Sequence, residues 1–370
     1  MQAKVSKHTK VPKHKPKQKF KQKYRKYKSK YLKLRTYAQF GGVMDQFKKY
    51  ESIVHPGCFN LNTIKWYIGS GSYGTLGAEC QECENVFKFQ LVGPKKLPGF
   101  GSNINPDTFE QMNTLTAQLS ALDVTPKYYG TTKCPIDGEF YIAVSKFKRM
   151  QGDLRQYLTR NLGTPATPLQ YTDQMLNIKI DEQTVKRFAR RLYDLHRSGY
   201  YHGDMKPSNL MINVDKFGSI SDIYLIDFDL VTKIPEDRAI IAGGANSPML
   251  GSPASPPRQT APAKMDESPL EQANIMAQSP KFEPDFTEEE LLKQPKQVQY
   301  FAWYVINQPF VRALFDMINL TYDLVVRKPI LFDLYILIIL CYVRGYNDIM
   351  VQVADVYKIH GELREMNMLH

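Results

Sequence analysis

The sequence predicts an α+β protein, with strands concentrated in the first part of the folded region and helices in the later part. The chain has 370 residues and is 43% hydrophobic, which can supply a core for one large domain or two ordinary ones. This content excludes a wholly disordered protein. The patterns of apolar residues and turn residues then predict the individual elements in chain order.

The first predicted strands lie within residues 66–90, where three short apolar runs are joined by glycine-rich and Gln-Glu turns. A helix is predicted from Asn105 and Pro106, because an N-cap and a first-turn proline precede apolar residues at helical spacing. Residues 140–147 follow the turn signal at Asp137 and are predicted as a further strand.

The later part of the chain predicts mainly helices. Apolar residues at helical spacing over 185–195 predict a helix that ends near Gly199. Two hairpin-like strands are predicted over 210–214 and 223–226. The longest apolar run, residues 329–343, contains Asp333 and is shorter than the roughly 20 residues that cross a bilayer. We interpret this run as a buried helix of a soluble protein.

Residues 1–50 are predicted to form a basic, largely disordered arm. Residues 4–35 contain fifteen of the 49 Lys and Arg residues, so the rest of the chain has 34 basic against 37 acidic residues. Residues 1–36 have few aliphatic side chains, but aromatic and apolar residues recur at helical spacing from Phe20 to Leu34. The arm could bind nucleic acid, an anionic membrane surface or an acidic partner. A solvated tail or an import signal would have the same composition.

A second low-complexity segment, residues 235–296, is predicted as a disordered insertion in the folded body. It contains ten of the 23 prolines and five Ser-Pro pairs. A capping-box pattern at residues 287–290 predicts a helix start at its end. The folded regions are therefore predicted at residues 51–145, 146–234 and 297–370.

The five cysteines are too few and too scattered to predict a disulfide framework, which favours a reducing, intracellular compartment. A nuclear, nucleoprotein or virion location would suit the basic arm. Secretion is not expected, because no apolar segment typical of a signal peptide follows the N-terminus. Cys80 and Cys83 have the spacing of a zinc knuckle, but a second close pair is missing, so we interpret them as part of a hairpin turn.

Gly69, Ser70, Gly71, Gly74 and Leu76 belong to a glycine-rich turn between two predicted strands. Closely spaced glycines let backbone N–H groups approach phosphate oxygens, because no Cβ stands in the way. Such a turn can cover a nucleotide, although glycine-rich turns are also common in ordinary hairpins. Whether this turn binds a nucleotide therefore has to be judged from the residues that follow.

Lys88 lies in a strand-like apolar run, and a lysine on a buried strand needs a partner for its charge. A phosphate or a carboxylate could serve. Glu110 is the acid inside the helix that follows, so an ion pair of Lys88 with Glu110 is the simplest prediction. In the alternative, Lys88 reaches water from an edge strand.

The strongest candidate site lies in residues 201–210 and 225–229. Its chemically important groups are two carboxylates, Asp204 and Asp227, with Lys206 and Asn209. Metal-assisted phosphoryl transfer requires this set of groups. One acid can orient and deprotonate the attacking hydroxyl, while the amide and the other acid can hold Mg²⁺. The lysine can neutralise charge on the moving phosphoryl group.

In this order, the glycine turn, Lys88 and the later acids resemble the protein-kinase superfamily over about residues 64–345. The resemblance implies a bilobal fold with a small β-rich N-lobe and a larger helical C-lobe. It also implies ATP and Mg²⁺ (or Mn²⁺) as cofactors. The glycine turn and Lys88 would hold the ATP phosphates, with Glu110 as the partner of Lys88.

The catalytic loop of that superfamily is matched residue by residue. Asp204 matches the catalytic base, Asn209 and Asp227 match the metal ligands, and Lys206 is similar to the serine/threonine-specific pattern. Asp333 matches the aspartate that anchors the backbone of the loop. The resemblance thus implies a serine/threonine protein kinase, with proteins as substrates.

Departures from the family pattern leave alternatives open. Gly203 replaces the usual arginine, as in the vaccinia-related kinases, Asp229 replaces a glycine, and no Ala-Pro-Glu motif is present. His-Gly-Asp is also similar to the aminoglycoside and choline phosphotransferases, which act on small-molecule hydroxyls. A pseudokinase scaffold is a further alternative, although every chemical position is filled. The compact layout is similar to kinases that large DNA viruses encode.

Overall fold

The computed structural model describes residues 50, 54, 57–70, 74–94, 103–137, 139–162, 173–234, 298–299 and 308–369. The arm up to residue 49, Gly71, the insertion 235–296 and its capping-box pattern lie outside these residues. What the sequence predicts for them therefore stays a prediction.

The chain divides into two compact units. The first consists of Met1–Cys83, Phe87–Asn103 and Thr132–Val144. The second consists of Glu84–Val86, Ile104–Thr131 and Ser145–His370. Because the N-terminal region is rich in strands and the C-terminal region in helices, the predicted α+β class is confirmed, and the arrangement is consistent with a kinase-like fold.

The N-terminal region contains a five-stranded sheet, most of which belongs to the first unit. Its strands are β1 Trp66–Ser70, β2 Thr75–Ala78, β3 Asn85–Val92, β4 Tyr128–Asp137 and β5 Phe140–Lys148, in the order β1-β2-β3-β5-β4. The strands predicted over 66–90 and 140–147 are confirmed. The sequence patterns miss β4, which contains Gly130 and Pro135. A proline is tolerated there because β4 lies at the edge of the sheet.

Aromatic side chains form much of the core of the first unit. The ring of Phe59 meets Phe87 and Phe89 edge-on, with centroids 5.4 Å apart in both pairs. Both partners come from β3, and alternate residues of a strand face the same side of a sheet. The segment before β1 is therefore packed against the inner face of β3.

Two disulfides pair the four cysteines of the first unit. Cys58–Cys134 joins the segment before β1 to β4 across 76 positions, and Cys80–Cys83 closes the turn between β2 and β3. The prediction of no disulfides is therefore wrong, whereas the hairpin turn is confirmed. The fifth cysteine, Cys341, is buried in the second unit, and burial raises its pKa to about 12. The cellular compartment stays a prediction.

We expect the double variant Cys58→Ser/Cys134→Ser to lose about 4 kcal/mol of unfolding free energy, because the unfolded chain is then free of a long covalent loop. The matched control is Cys80→Ser/Cys83→Ser, whose short loop predicts a loss of about 1.5 kcal/mol. Denaturant unfolding without a reductant, followed by circular dichroism, measures both. Equal losses in the two variants would contradict the loop-length explanation.

Helices make up most of the second unit. They are α1 Pro106–Ala121, α2 Leu154–Leu162, α3 Glu182–Arg197, α4 Pro309–Met317, α5 Tyr322–Arg327, α6 Ile330–Arg344, α7 Asn347–Tyr357 and α8 His360–Glu365. The short strands are β6 Gly152–Asp153, β7 Tyr200–Tyr201, β8 Leu210–Val214, β9 Ile220–Leu225 and β10 Thr232–Lys233. One small sheet has the order β6-β8-β9, and β7 pairs with β10 in another.

The ends of two helices follow local signals in the sequence. The side chain of Asn105 accepts a hydrogen bond from the N–H of Asp107, and Pro106 opens α1. Helix α3 ends at Arg197, and Gly199 follows with a φ of 86°, a left-handed conformation that favours glycine. Both predicted boundaries are confirmed. The predicted strand pair corresponds to β8 and β9.

Helix α6 forms the centre of the second core. It is buried from Ile330 to Cys341, which confirms the buried helix predicted from the apolar run. Asp333 lies within this stretch and is also fully buried. Within the described ranges, no helix has both the length and the apolar content needed to cross a membrane.

A buried arginine ties α3 to β9 and to the segment after α1. Arg191 donates to the backbone oxygen and carboxylate of Asp123 at 2.7 and 2.6 Å, to the oxygen of Ile223 at 2.7 Å, and to the carboxylate of Asp222. Burial disfavours the charge, but the hydrogen bonds to both carboxylates outweigh it and raise the pKa of the guanidinium. Because β9 leads to Asp227, this network fixes the strand that precedes the candidate metal ligand.

Candidate active site

The candidate catalytic loop, residues 202–209, connects β7 to β8 in the second unit. Its key side chains are shielded from solvent, since His202, Asp204 and Asn209 are at most 5% exposed. A loop buried to this extent must have its polar groups hydrogen-bonded. The partners of these groups therefore define the geometry of the site.

Asp204, Lys206 and Asn209 form one cluster. The Nδ2 of Asn209 donates to the backbone oxygen of Asp204 and to its Oδ2, both at 2.9 Å. The Nζ of Lys206 lies 2.5 Å from the same Oδ2. The ammonium balances the charge of the carboxylate, and the amide fixes its orientation. The structure thus brings together three of the residues that the sequence predicts for catalysis.

Side chains of helix α6 fix the backbone of the catalytic loop by hydrogen bonds. The carboxylate of Asp333 accepts hydrogen bonds from the N–H of His202 at 2.6 Å and from the N–H of Gly203 at 3.2 Å. The hydroxyl of Tyr335 donates to the oxygen of Met205 at 3.1 Å. The prediction that Asp333 anchors the loop backbone is confirmed. Tyr335 is a second anchor that the sequence analysis missed.

Gly203 has a φ of 71°, which explains one departure from the family pattern. Residues with a Cβ rarely adopt this left-handed conformation, whereas glycine does so without strain. With this backbone, the consecutive N–H groups of His202 and Gly203 both point to Asp333. The glycine therefore lets the loop take a conformation that its anchor requires.

His202 links the catalytic loop to the loop that carries Asp227. Its Nδ1 accepts a hydrogen bond from the N–H of Asp204 at 3.3 Å, so Nε2 carries the proton and donates to the oxygen of Ile226 at 2.9 Å. Its ring also packs on Phe228, with centroids 5.2 Å apart. These contacts give His202 a structural role.

Asp227 follows β9 by two residues and is held next to Asn209. The N–H of Ile226 donates to the oxygen of Asn209 at 3.0 Å. Asp227 itself has φ 67° and ψ 65°, an unfavourable region for a residue with a side chain. Such strain, of about 1–3 kcal/mol, persists where the surroundings enforce it and is found mainly at functional sites.

The oxygens of Asn209 and Asp227 suit a small, hard cation such as Mg²⁺. Because the Nδ2 of Asn209 donates to Asp204, the amide oxygen is the atom available to a cation. In the part of the chain that the structure describes, no group of three or more His, Cys, Asp and Glu side chains could hold a metal. Mg²⁺ bound by few protein ligands usually keeps phosphate oxygens and water as the others.

The glycine turn and Lys88 belong to the first unit. A Cβ at Gly74 would lie 2.8 Å from the backbone oxygen of Phe89, so only glycine fits there, and it would be in ordinary contact, at 3.5 Å, with Cε of Lys88. Leu76 pairs with Lys88 across β2 and β3. Gly69 and Ser70 end β1, and a Cβ at Gly69 would meet open space. Gly74 thus lies close to the side chain that is predicted to bind phosphate.

Glu110 lies on α1 and belongs to the second unit, whereas Lys88 belongs to the first. Their ion pair stays a prediction. Helix α1 itself contacts the turn formed by Phe228–Leu230, directly after Asp227. Asp229 lies in this turn, in a right-handed helical conformation. Its position does not require the conformational freedom of the glycine that it replaces.

Comparison with known families matches residues 159–241 to the lipopolysaccharide kinase (Kdo/WaaP) family. This segment contains the whole catalytic loop and Asp227. It is a minor part of the chain, 83 of 370 residues. No curated protein matches the chain. The match supports the protein-kinase-like superfamily and, with it, the activity of a kinase-like phosphotransferase.

Proposed function

We propose that the protein is a serine/threonine protein kinase that transfers the γ-phosphoryl group of ATP to protein hydroxyls. The observation that carries the proposal is the buried cluster of Asp204, Lys206 and Asn209, in which an amide and an ammonium hold one carboxylate. Phosphoryl transfer depends mainly on positioning and on charge stabilisation. The cluster offers both.

Each residue of the cluster has a separate role in the proposal. Asp204 orients the acceptor hydroxyl and takes its proton. Lys206 stabilises negative charge on the phosphoryl group, and Asn209 and Asp227 hold Mg²⁺ or Mn²⁺. A bound cation supplies positive charge to the phosphate oxygens.

The nucleotide would be held by residues of the glycine turn and by Lys88. Backbone N–H groups of residues 69–74 would contact phosphate oxygens, and Lys88 would neutralise part of their charge. Glu110 would keep Lys88 in position. The close approach of Gly74 to Lys88 supports this assignment.

Two observations point to different acceptors. Lys206 followed by Pro207 in the catalytic loop is similar to kinases that act on protein serine and threonine, which favours a protein substrate. The lipopolysaccharide kinase match instead favours a sugar hydroxyl as the acceptor. We put the protein substrate first, because the lysine makes a direct contact with the candidate base.

Transfer of labelled γ-phosphate from Mg·ATP by the purified full-length protein tests the proposal. The acceptors are the protein itself, generic basic proteins, and a panel of free sugars and lipid-linked sugars, with Asp204→Asn as the control. Label on protein serine or threonine that is lost in the control is the expected result. Label on sugars alone would move the protein to the second candidate, and no label with any acceptor would contradict both.

The basic arm is proposed to bind nucleic acid, because fifteen Lys and Arg residues lie within residues 4–35. A variant that lacks residues 1–36 should keep its turnover on a small acceptor and lose salt-sensitive binding to DNA or RNA. Fluorescence anisotropy at several salt concentrations measures this binding. Unchanged nucleic-acid affinity would contradict the proposal and leave an acidic protein or an anionic membrane as the partner.

A further inference from the structure

A chain of buried polar side chains connects the catalytic loop to helix α7. The Nε2 of His196, on α3, lies 3.0 Å from Oδ2 of Asp333, and its Nδ1 lies 2.9 Å from the hydroxyl of Tyr357. The three residues are at most 7% exposed. Tyr357 closes α7 and is 161 positions from His196.

The hydrogen-bond pattern assigns the protons of this chain. The carboxylate of Asp333 already accepts two backbone N–H groups, so it also accepts from the imidazole, and Nε2 is the donor. The other nitrogen, Nδ1, is then hydrogen-bonded to the hydroxyl of Tyr357. Burial, followed by the negative charge of Asp333, raises the pKa of Tyr357 well above its usual range, so the hydroxyl keeps its proton.

The ring of His196 also packs against two tyrosine rings. The planes of His196 and Tyr357 meet at 83° with centroids 5.5 Å apart, and Tyr201 from β7 lies edge-on to the same imidazole at 6.0 Å. Removing only the hydroxyl of Tyr357 would leave this packing intact. It would leave Nδ1 of His196 as a buried polar atom without its hydrogen-bond partner, and the ring would be free to turn away from Asp333.

We propose that Tyr357 is a positioning residue for phosphoryl transfer, whose hydroxyl orients His196 so that Asp333 keeps the backbone of His202 and Gly203 in place. This inference rests on the proposed function, because it assigns the loop to catalysis. It makes the end of α7 part of the active-site support, although Tyr357 touches none of the reacting groups. The hydrogen bonds that support the Asp204 cluster then extend to α7.

The test is Tyr357→Phe, with Tyr346→Phe as the matched control. The hydroxyl of Tyr346 also donates one hydrogen bond of 2.9 Å, to the oxygen of Ile180, and has no part in the chain to Asp333. We expect kcat to fall about tenfold in Tyr357→Phe, with KM for ATP changed less than about twofold. The melting temperature of Tyr346→Phe should be similar to that of Tyr357→Phe. Its kcat should equal that of the unaltered protein. Equal kcat values in the two variants would overturn the proposal.

A second variant tests whether Tyr357 acts through His196. In His196→Gln, the side-chain amide can still donate to Asp333, and it does not need the hydroxyl of Tyr357. Adding Tyr357→Phe to this background should therefore change kcat by less than about twofold. A further tenfold loss would show that Tyr357 acts by another route and would contradict the mechanism.

Hydrogen exchange separates this inference from the proposed function. If the unaltered protein transfers no phosphate, the proposed function fails, but the backbone amides of His202 and Gly203 should still exchange faster in Tyr357→Phe than in Tyr346→Phe. Mass spectrometry of a peptide covering residues 200–206 measures this. Equal exchange in the two variants would overturn the positioning role, whatever the activity.

Discussion

Replacing Asp204 with Asn is expected to lower kcat by two to four orders of magnitude, while the affinity for ATP changes less than about threefold. The amide oxygen of the new side chain can still accept from Lys206 and Asn209, which hold Oδ2 in the native protein. The geometry of the loop is therefore kept. What is lost is a carboxylate that can take the proton of the acceptor hydroxyl.

Initial rates with labelled ATP and calorimetric titration with a non-hydrolysable ATP analogue measure the two effects separately. The control is Asp323→Asn, since Asp323 is 78% exposed and pairs with Arg327 on the surface. An exposed pair of this kind contributes about 1 kcal/mol or less. The control should retain full turnover. Turnover that survives in Asp204→Asn would show that the catalytic loop is assigned wrongly.

The candidate catalytic cluster could be predicted because its members are close along the chain. Asp204, Lys206 and Asn209 occupy one short loop, whose conformation depends mainly on its own hydrogen bonds. Asp227 follows through a single hairpin of β8 and β9, and Leu210 pairs with Leu225 at its base. A hairpin brings its two ends together whatever the rest of the chain does, so local patterns were sufficient.

Contacts between distant positions could not be predicted in this way. Cys58 and Cys134 are 76 positions apart, and they meet only because of the strand order of the sheet. The separation is 161 positions for His196 and Tyr357, which meet through the packing of α3, α6 and α7. No local pattern contains information on such packing. The Lys88–Glu110 pair is of this kind as well, and it stays a prediction.

Two departures from the family pattern have different physical meanings in the structure. Gly203 is required by its positive φ, so a side chain at this position would disturb the contact with Asp333. Asp229 lies in a right-handed turn and needs no glycine. The sequence shows both substitutions equally well, but only backbone conformation distinguishes the constrained position from the tolerant one.

Asp333→Asn is expected to have the second large effect, a loss of about 100-fold or more in kcat together with about 3–5 kcal/mol of unfolding free energy. Three donors meet the buried carboxylate: the N–H groups of His202 and Gly203, and Nε2 of His196. An asparagine offers one oxygen and one NH₂ group. In either orientation its NH₂ group faces another donor, so at least one hydrogen bond is replaced by a repulsive contact.

The control for Asp333→Asn must lose stability without removing a hydrogen bond of the loop. Leu337→Ala does this, because Leu337 is 1% exposed on the same helix and its truncation creates a cavity that costs about 2–5 kcal/mol. At a temperature where both variants are folded, Leu337→Ala should keep its turnover and Asp333→Asn should not. If the loss of turnover in each variant is proportional to the decrease in its melting temperature, Asp333 only stabilises the fold. If Asp333→Asn alone loses it, the position of the loop backbone limits catalysis, and the smaller effect expected for Tyr357→Phe has the same origin.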